Sequence, residues 1–192
     1  METETNYVDI GELLNSCGSD KNSFHKYGNG YNLIFSEQFL KQRRPLKVLE
    51  IGVFNGASIN GFSQIPYVSE VVGVDTYSSF VTDNPKITLY IGNEFDAYSL
   101  RTLEMLKNNH EKFDIIIDDG PHTWESQEWF FRNYAELLNE GGVLVCEDIS
   151  IDYIKNLKKL QIELNLYVLD LRFNSNPNYN EFLALKYKRG VI

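Results

Sequence analysis

The stretch Lys47-Val-Leu-Glu-Ile-Gly-Val-Phe-Asn-Gly56 decides the fold class of this 192-residue chain. Its apolar first half predicts a strand buried on both faces, and its glycines predict a tight turn into a helix that begins at Ala57. Further apolar runs predict four more strands: Val71 to Asp75, Ile87 to Ile91, Phe113 to Ile117 and Val143 to Cys146. Helical patterns lie between most of these runs, so the sequence predicts an α/β fold with a mostly parallel sheet.

The end of the chain predicts two closing strands, 166–171 and 181–187, around an Asn-rich turn. The complete expectation is a seven-stranded sheet with one antiparallel edge strand and helices on both faces. The sequence contains no internal repeat, low-complexity tract or linker. We therefore expect one domain over 1–192, in which 1–45 form an N-terminal helical or lid segment.

Composition narrows the classes of partner. The net charge of −9 argues against nucleic acid, because proteins that bind polyanions normally present a basic surface. The two cysteines do not suggest a disulfide framework, and the acidic N-terminus is unlike a secretory signal. No apolar stretch approaches the roughly 20 residues that span a bilayer. These features predict a cytoplasmic protein with no membrane partner.

Two acidic pairs follow predicted strands. Asp118-Asp119 comes after the fourth strand, and Glu147-Asp148 comes after the fifth. Because parallel strands end at a common edge, these carboxylates should gather there, and clustered carboxylates repel one another unless a proton or cation lies between them. The sequence thus predicts a divalent metal with His122 nearby. Two alternatives stay open: the second pair caps the next helix, or Asp118 holds a loop backbone.

The glycine turn predicts an adenosyl ligand. Gly52 and Gly56 resemble a nucleotide-binding loop, but Phe54 stands where a pyrophosphate-binding loop has its middle glycine. This counts against NAD and favours S-adenosylmethionine, which carries no phosphate. Asp75 follows the turn by about 20 residues, where an acid can hold ribose hydroxyls. The alternative for the glycines alone is an ordinary tight turn.

With these motifs the chain resembles the class I S-adenosylmethionine-dependent methyltransferases, which implies a Rossmann-like methyltransferase fold. It resembles more closely the metal-dependent sugar O-methyltransferases of the macrocin and mycinamicin type. The distinguishing stretches are Asp118-Asp-Gly-Pro-His122 with Gln127, Glu147-Asp148, and an early segment containing Ser19-Asp-Lys, His25-x-Tyr27 and Tyr31.

The resemblance implies roles for individual residues. Asp119, Glu147 and Asp148 would coordinate Mg²⁺ or another divalent cation. His122 would be the general base, with Asp119 beside it as the second catalytic residue. The methyl donor would be bound by Glu50, Gly52, Asn55, Gly56, Ser58, Asp75, Tyr77, Asn93, Glu94, Asp118 and Tyr27. The chain departs from the family at Pro121, where a small residue is usual, and at Asn93, where an acid is usual.

The expected function is therefore Mg²⁺-dependent transfer of a methyl group from S-adenosylmethionine to a sugar hydroxyl, on a glycan or a glycosylated small molecule. A hard cation can orient the hydroxyl and make it a better nucleophile, while an imidazole accepts its proton. The expected partner is a sugar or glycoside acceptor. A homo-oligomer stays an open alternative, because the assembly state does not transfer from the larger enzymes of the family. The alternatives are a catechol-type O-methyltransferase and a non-catalytic module that binds S-adenosylmethionine.

Overall fold

The computed structural model describes residues 8–170 and 181–188. The strands among them are β1 (Leu46–Ile51), β2 (Val68–Asp75), β3 (Ile87–Ile91), β4 (Phe113–Asp118), β5 (Leu138–Ser150), β6 (Tyr167–Asp170) and β7 (Glu181–Tyr187). The α-helices are α1 (Ile10–Ser16), α2 (Asp20–Ser23), α3 (Gly28–Gln42), α4 (Ala57–Gln64), α5 (Leu100–Asn109), α6 (Trp124–Asn133) and α7 (Ile154–Leu164). None of the described helices has the length and apolar character needed to cross a bilayer.

The seven strands form one sheet in the order β3-β2-β1-β4-β5-β7-β6. Strands β1 to β5 are parallel, and β7 runs antiparallel to both β5 and β6. The predicted Rossmann-like methyltransferase sheet is confirmed, and its reversed strand lies one place in from the β6 edge. The predicted Asn-rich turn falls on 171–180, outside the described residues.

Helices cover both faces of the sheet, as predicted. One core joins alternate strand residues such as Val48 and Ile115 to α1, α3 and α4. The other joins their neighbours Leu49 and Ile116 to α5, α6 and α7. Because successive side chains of a strand point to opposite faces, the position of an acid along its strand decides which set of helices it meets.

Residues 18–31 are rich in Gly, Asn and Ser, a composition that predicts turns, yet they contain α2 and the start of α3. Ser19 starts α2 by accepting a hydrogen bond from the backbone N–H of Lys21. Gly28 begins α3, and a Cβ there would lie 3.0 Å from the Cα of Gly11. Gly28 therefore permits close packing of α3 against α1, whereas a glycine in this polar segment predicts a turn.

The sequence predicts a helix in this segment with Leu33, Ile34, Phe39 and Leu40 on its apolar side. In α3, Leu33 and Leu40 are instead 64% and 72% exposed. Tyr31, Ile34 and Phe35 are buried, so the buried side of the helix is displaced toward its aromatic residues.

Strand β5 is longer and less regular than predicted. Its pairing with β7 shifts register between Cys146 and Ile149, and Asp148 has a φ of +51°. Two residues of β5 therefore oppose one residue of β7, which is the pattern of a β-bulge. After the strand, Ser150 accepts a hydrogen bond from the N–H of Asp152 and caps the following 3-10 turn. The open alternative, that the second acidic pair caps this turn, is wrong.

Candidate active site

A cleft of about 550 Å³ opens at the carboxyl ends of the parallel strands. The loops after β1, β2 and β4 contribute to its wall, together with the bulge of β5 and part of the N-terminal segment. Residues predicted for the site that line it are Gly52, Asp75, Tyr77, Asp119, His122, Glu147 and Asp148.

The glycine turn after β1 packs directly on the loop after β4. Gly52 has a φ of +90°, and a Cβ at this position would overlap the backbone carbonyl of Asp119. The N–H of Asp119 donates to the carbonyl of Ile51 at 2.9 Å, which fixes the two loops to each other. Phe54 is 79% exposed and lines the cleft, at the place where a phosphate-binding loop has glycine.

Asp75 lies in the cleft and organises the glycine turn. Its Oδ2 accepts hydrogen bonds from the N–H groups of Val53 at 2.8 Å and Phe54 at 3.0 Å. Its Oδ1 accepts one from the N–H of Tyr77 at 3.1 Å. The contact of Asp75 with a ribose stays a prediction, because these bonds are all to backbone of the protein itself.

Three predicted residues form what we call the open triad: Asp119, His122 and Asp148. The His122 Nε2 lies 3.8 Å from Oδ1 of Asp119 and 3.9 Å from Oδ2 of Asp148. Each residue offers one possible ligand atom, and these atoms lie within 4.8 Å of one another. The side chains are 14% to 39% exposed, so the triad faces the cleft.

Two further acids lie at a buried lysine, and we call Lys21, Glu50 and Glu147 the closed cluster. The Lys21 Nζ donates to Oε2 of Glu147 at 2.7 Å and lies 3.3 Å from Oε1 of Glu50. It also donates to Oδ2 of Asp119 at 2.5 Å, which links the cluster to the open triad. The other oxygen of Glu147 accepts a hydrogen bond from the hydroxyl of Tyr31. The structure thus gives Glu147 two protein partners, and it does not bring Glu147 into the triad.

Burial and the neighbouring charges act in opposite directions on each group of the closed cluster. Burial would lower the pKa of Lys21, but the three surrounding carboxylates outweigh it and raise that pKa, so the ammonium stays charged. Burial raises the pKa of Glu50 to about 7, against the opposing effect of Lys21. Burial likewise raises the pKa of Glu147. One lysine therefore serves several acids that are costly to ionise in this interior.

Asp118 lies apart from the other acids. It points to the α5–α7 face, where Tyr98 donates a hydrogen bond to its Oδ1 at 2.5 Å. Burial raises the pKa of Asp118 to about 7, while bonds from Tyr98 and the Gly120 backbone oppose the rise. The second of these bonds agrees with the alternative that this acid holds a loop backbone. The expected gathering of all four acids at one point is therefore wrong for Asp118.

The N-terminal segment contacts Asp148 as well. The hydroxyl of Tyr27 donates to Oδ1 of Asp148, and Nδ1 of His25 lies 3.3 Å from the same oxygen. Tyr27, predicted to bind the methyl donor, is buried and positions an acid of the triad. His25, predicted not to be catalytic, lines the cleft.

Other predicted donor-binding residues support the loops. Ser58 donates to Oε2 of Glu50 at 2.9 Å, and Asn55 accepts from the N–H of Ala57 at 3.1 Å. Asn93 and Glu94 form a 3-10 turn after β3 and are not among the described residues that line the cleft. Asp96 and Tyr98, for which the sequence predicted no role in the site, do line it.

Comparison with known proteins identifies the family. Residues 49–149 match the profile of a family described as a methyltransferase domain, and the chain belongs to that family. It is 28% identical over 153 residues to the 8-demethyl-8-(2-methoxy-alpha-L-rhamnosyl)-tetracenomycin-C 3'-O-methyltransferase of Streptomyces olivaceus, covering 76% of this chain and 38% of that protein. It is 26% identical over 153 residues to the mycinamicin VI 2''-O-methyltransferase of Micromonospora griseorubida, covering 76% and 37%. The chain thus spans about two fifths of the length of these relatives.

A solved structure shares the fold. The MycE methyltransferase from the mycinamycin biosynthetic pathway, in complex with Mg and SAH, superposes with a TM-score of 0.75 at 21% sequence identity. The match covers 98% of this chain and 58% of that one.

Proposed function

We propose that this protein is a divalent-metal-dependent O-methyltransferase that methylates a hydroxyl of a sugar with S-adenosylmethionine as donor. The observation that carries the proposal is the open triad, which presents two carboxylates and an imidazole to the cleft beside the glycine turn. The names of the relatives support a glycoside as acceptor, since they describe methylation of rhamnosyl-tetracenomycin and mycinamicin VI.

The residues of the triad suit a hard divalent cation. Mg²⁺ prefers oxygen ligands and is often held by only one or two carboxylates, as Asp119 and Asp148 could provide. Both oxygens of Glu147, the third predicted ligand, are engaged by Lys21 and Tyr31. When bound, the metal would supply Lewis-acid polarisation of the acceptor hydroxyl.

His122 would accept the proton of the attacking hydroxyl. Its ring is 39% exposed to the cleft and lies between the two carboxylates of the triad. In this proposal the imidazole takes the proton as the hydroxyl oxygen attacks the methyl group.

The glycine turn would bind the donor. Asp75 holds the backbone of Val53 and Phe54 in place through Oδ2. Its Oδ1 accepts the N–H of Tyr77 and retains capacity to accept a further bond from a ribose hydroxyl. Gly52 and Gly56 let the turn pack against the Asp119 backbone and the Phe80 ring, which fixes this wall of the cleft. Holding both reactants in one cleft would provide much of the rate gain, because it replaces a collision in solution.

The N-terminal segment would complete a single domain over 1–192 by covering the reaction site. Asp20 and His25 already line the cleft, and Lys21, Tyr27 and Tyr31 each hold an acid at a strand end. In this proposal 1–45 serve as a cover that excludes water from the transferred methyl group.

The test is transfer of a labelled methyl group to acceptors. The purified chain is incubated with labelled S-adenosylmethionine, MgCl₂ and a panel of deoxysugar glycosides, with catechol in competition. Label on the glycosides that disappears with excess EDTA and returns with added Mg²⁺ is the expected result. Full activity in EDTA would refute the metal role, and preference for catechol would refute the sugar acceptor.

A further inference from the structure

We propose that Asp20 and His25 form a second hydroxyl-binding subsite, which holds the acceptor sugar by a hydroxyl other than the one that is methylated. The proposal deepens the proposed function and rests on it, because it takes the acceptor to be a sugar. It gives a role to two cleft-lining residues of the N-terminal segment that the proposed chemistry leaves unused.

Acidic and imidazole side chains alternate in a row along the cleft. His25 extends the open triad beyond Asp148, because its Nδ1 lies 3.3 Å from Oδ1 of Asp148. The other ring nitrogen of His25, Nε2, lies 3.8 Å from Oδ2 of Asp20. The complete row is Asp119, His122, Asp148, His25 and Asp20, and every member lines the cleft.

The two ends of this row belong to different parts of the cleft. The Asp119 end adjoins the glycine turn, since the N–H of Asp119 donates to the carbonyl of Ile51. The proposed donor would bind at that turn. Asp20 lies at the other end of the row and belongs to α2. A ligand group at Asp20 would therefore come from the acceptor rather than from the donor.

The Asp20–His25 pair has the chemistry to bind a hydroxyl. The side chain of Asp20 is 73% exposed, so its carboxylate is accessible from the cleft. A carboxylate accepts hydrogen bonds, and an imidazole can donate one. A hydroxyl both donates and accepts, so the pair offers it a partner for each role.

Aromatic neighbours hold the ring of His25 in place. It stacks on Tyr27 with ring centroids 5.4 Å apart, and Phe24 meets it edge-on at 5.0 Å. The side chain of His25 is only 12% exposed. A ring that is already fixed loses little conformational entropy when it binds a ligand group. The packing thus sets the spacing between the Asp20–His25 pair and the open triad.

A sugar could use both parts of the row at once. Its reactive hydroxyl would lie at His122, while another hydroxyl of the same sugar would bind between Asp20 and His25. Two fixed contacts on one sugar restrict which hydroxyl is presented to the methyl group, because the reacting atoms must be aligned. Asp20 is therefore a specificity-determining residue in this proposal.

The first test pairs a change in the protein with a change in the acceptor. The probe is methyl α-L-rhamnoside or, if another glycoside of the panel accepts more label, that glycoside, with analogues that each lack one hydroxyl. We expect Asp20→Ala to lower kcat/KM for the parent glycoside about tenfold, chiefly through KM, as is typical for a hydrogen bond to a charged group. For one analogue the same substitution should change kcat/KM by no more than about twofold, because the hydroxyl that Asp20 binds is already missing.

The matched control is Glu12→Ala. Glu12 is an exposed acid of the same N-terminal segment and is not among the described residues that line the cleft. Its substitution should leave kcat/KM for every glycoside within about twofold of the wild type. Equal losses by Asp20→Ala on the parent glycoside and on all analogues would overturn the proposal, and so would the absence of any loss.

The second test separates contact with the acceptor from an effect on the metal. Titration with Mn²⁺, followed by the electron paramagnetic resonance signal of the unbound ion, gives a dissociation constant without donor or acceptor. We expect Asp20→Ala to bind Mn²⁺ within about twofold of the wild type, whereas loss of an outer-shell partner of a metal typically weakens binding about tenfold or more. A tenfold loss would show that Asp20 acts on Asp148 through His25, and it would overturn the role of Asp20 as an acceptor contact.

The two proposals fail in different ways. Label transfer to the glycoside without a selective effect of Asp20→Ala would refute only the second subsite. Absence of transfer to every glycoside of the panel would refute both proposals.

Discussion

The open triad and the closed cluster each combine two carboxylates with one basic side chain. The negative charge of their carboxylates is balanced differently in the two groups. Acids of the closed cluster are buried beside the N-terminal segment and share an internal ammonium. Those of the open triad face the cleft beside an imidazole. The difference shows that burial, rather than the number of carboxylates, separates an acid paired for structure from an acid available to a ligand.

The largest expected effect is a loss of catalytic rate on removing the imidazole of the open triad. His122→Ala should lower kcat by about 10² to 10⁴, because it removes the proposed base. Mn²⁺ affinity should change less than threefold, and imidazole added to the buffer should restore part of the activity. A tenfold loss of Mn²⁺ affinity would instead identify His122 as a metal ligand.

Removing the cation of the closed cluster should cost the most stability. Lys21→Met leaves buried carboxylates without their partner, and we expect a loss of about 3–5 kcal/mol in the free energy of unfolding. Urea denaturation at pH 7 measures it. The control Lys158→Met changes an exposed lysine on α7 and should stay within about 0.5 kcal/mol of the wild type. A similar small change for both variants would show that the ammonium is not needed for the fold.

The next effect depends on pH. The pKa of Glu50 is raised from its ordinary value to about 7 by burial, so the folded state holds a proton that the unfolded state has already lost. Stability from this group is present at low pH and is lost as pH rises toward 7. Glu50→Gln should therefore gain stability relative to the wild type between pH 5 and pH 8, by roughly 2–3 kcal/mol. If the difference in unfolding free energy between Glu50→Gln and the wild type is the same at pH 5 and pH 8, then Glu50 does not titrate in this range.

The smallest effect concerns the acid on the opposite face. Tyr98→Phe removes the hydroxyl that donates to Asp118, which should cost about 1–2 kcal/mol of unfolding free energy when that carboxylate is ionised. Since the pKa of Asp118 is raised to about 7, the loss should be larger at pH 8 than at pH 5. Tyr77→Phe, at a position 80% exposed, is the control. Equal losses at both pH values would contradict the assignment.

Much of the fold could be predicted from local pattern. The apolar runs predicted the strands, since a parallel strand buried on both faces has a continuous apolar sequence. The same reasoning predicted that Asp119 and Asp148 would lie near His122, because parallel strands end at a common edge. Alternation along β4 could also have shown that Asp118 faces away from this group.

The closed cluster could not be predicted in this way. Lys21 lies 98 residues from Asp119 and 126 residues from Glu147 along the chain, so no local pattern connects them. The Ser19-Asp-Lys motif was identified only by resemblance to a family, and that resemblance assigned no chemical role to Lys21. A buried ammonium is also against the expectation for lysine, and only the assembled fold shows the acids that make it possible.

The bulge in β5 has a wider consequence. At the bulge, two adjacent acids have different surroundings. Glu147 is buried and bonded to Lys21, whereas Asp148 lies near His122 at the cleft. Evolution could therefore retune the second position toward another metal or acceptor while the first remains committed to the architecture. Two adjacent codons would then be under separate selection, one for folding and one for chemistry.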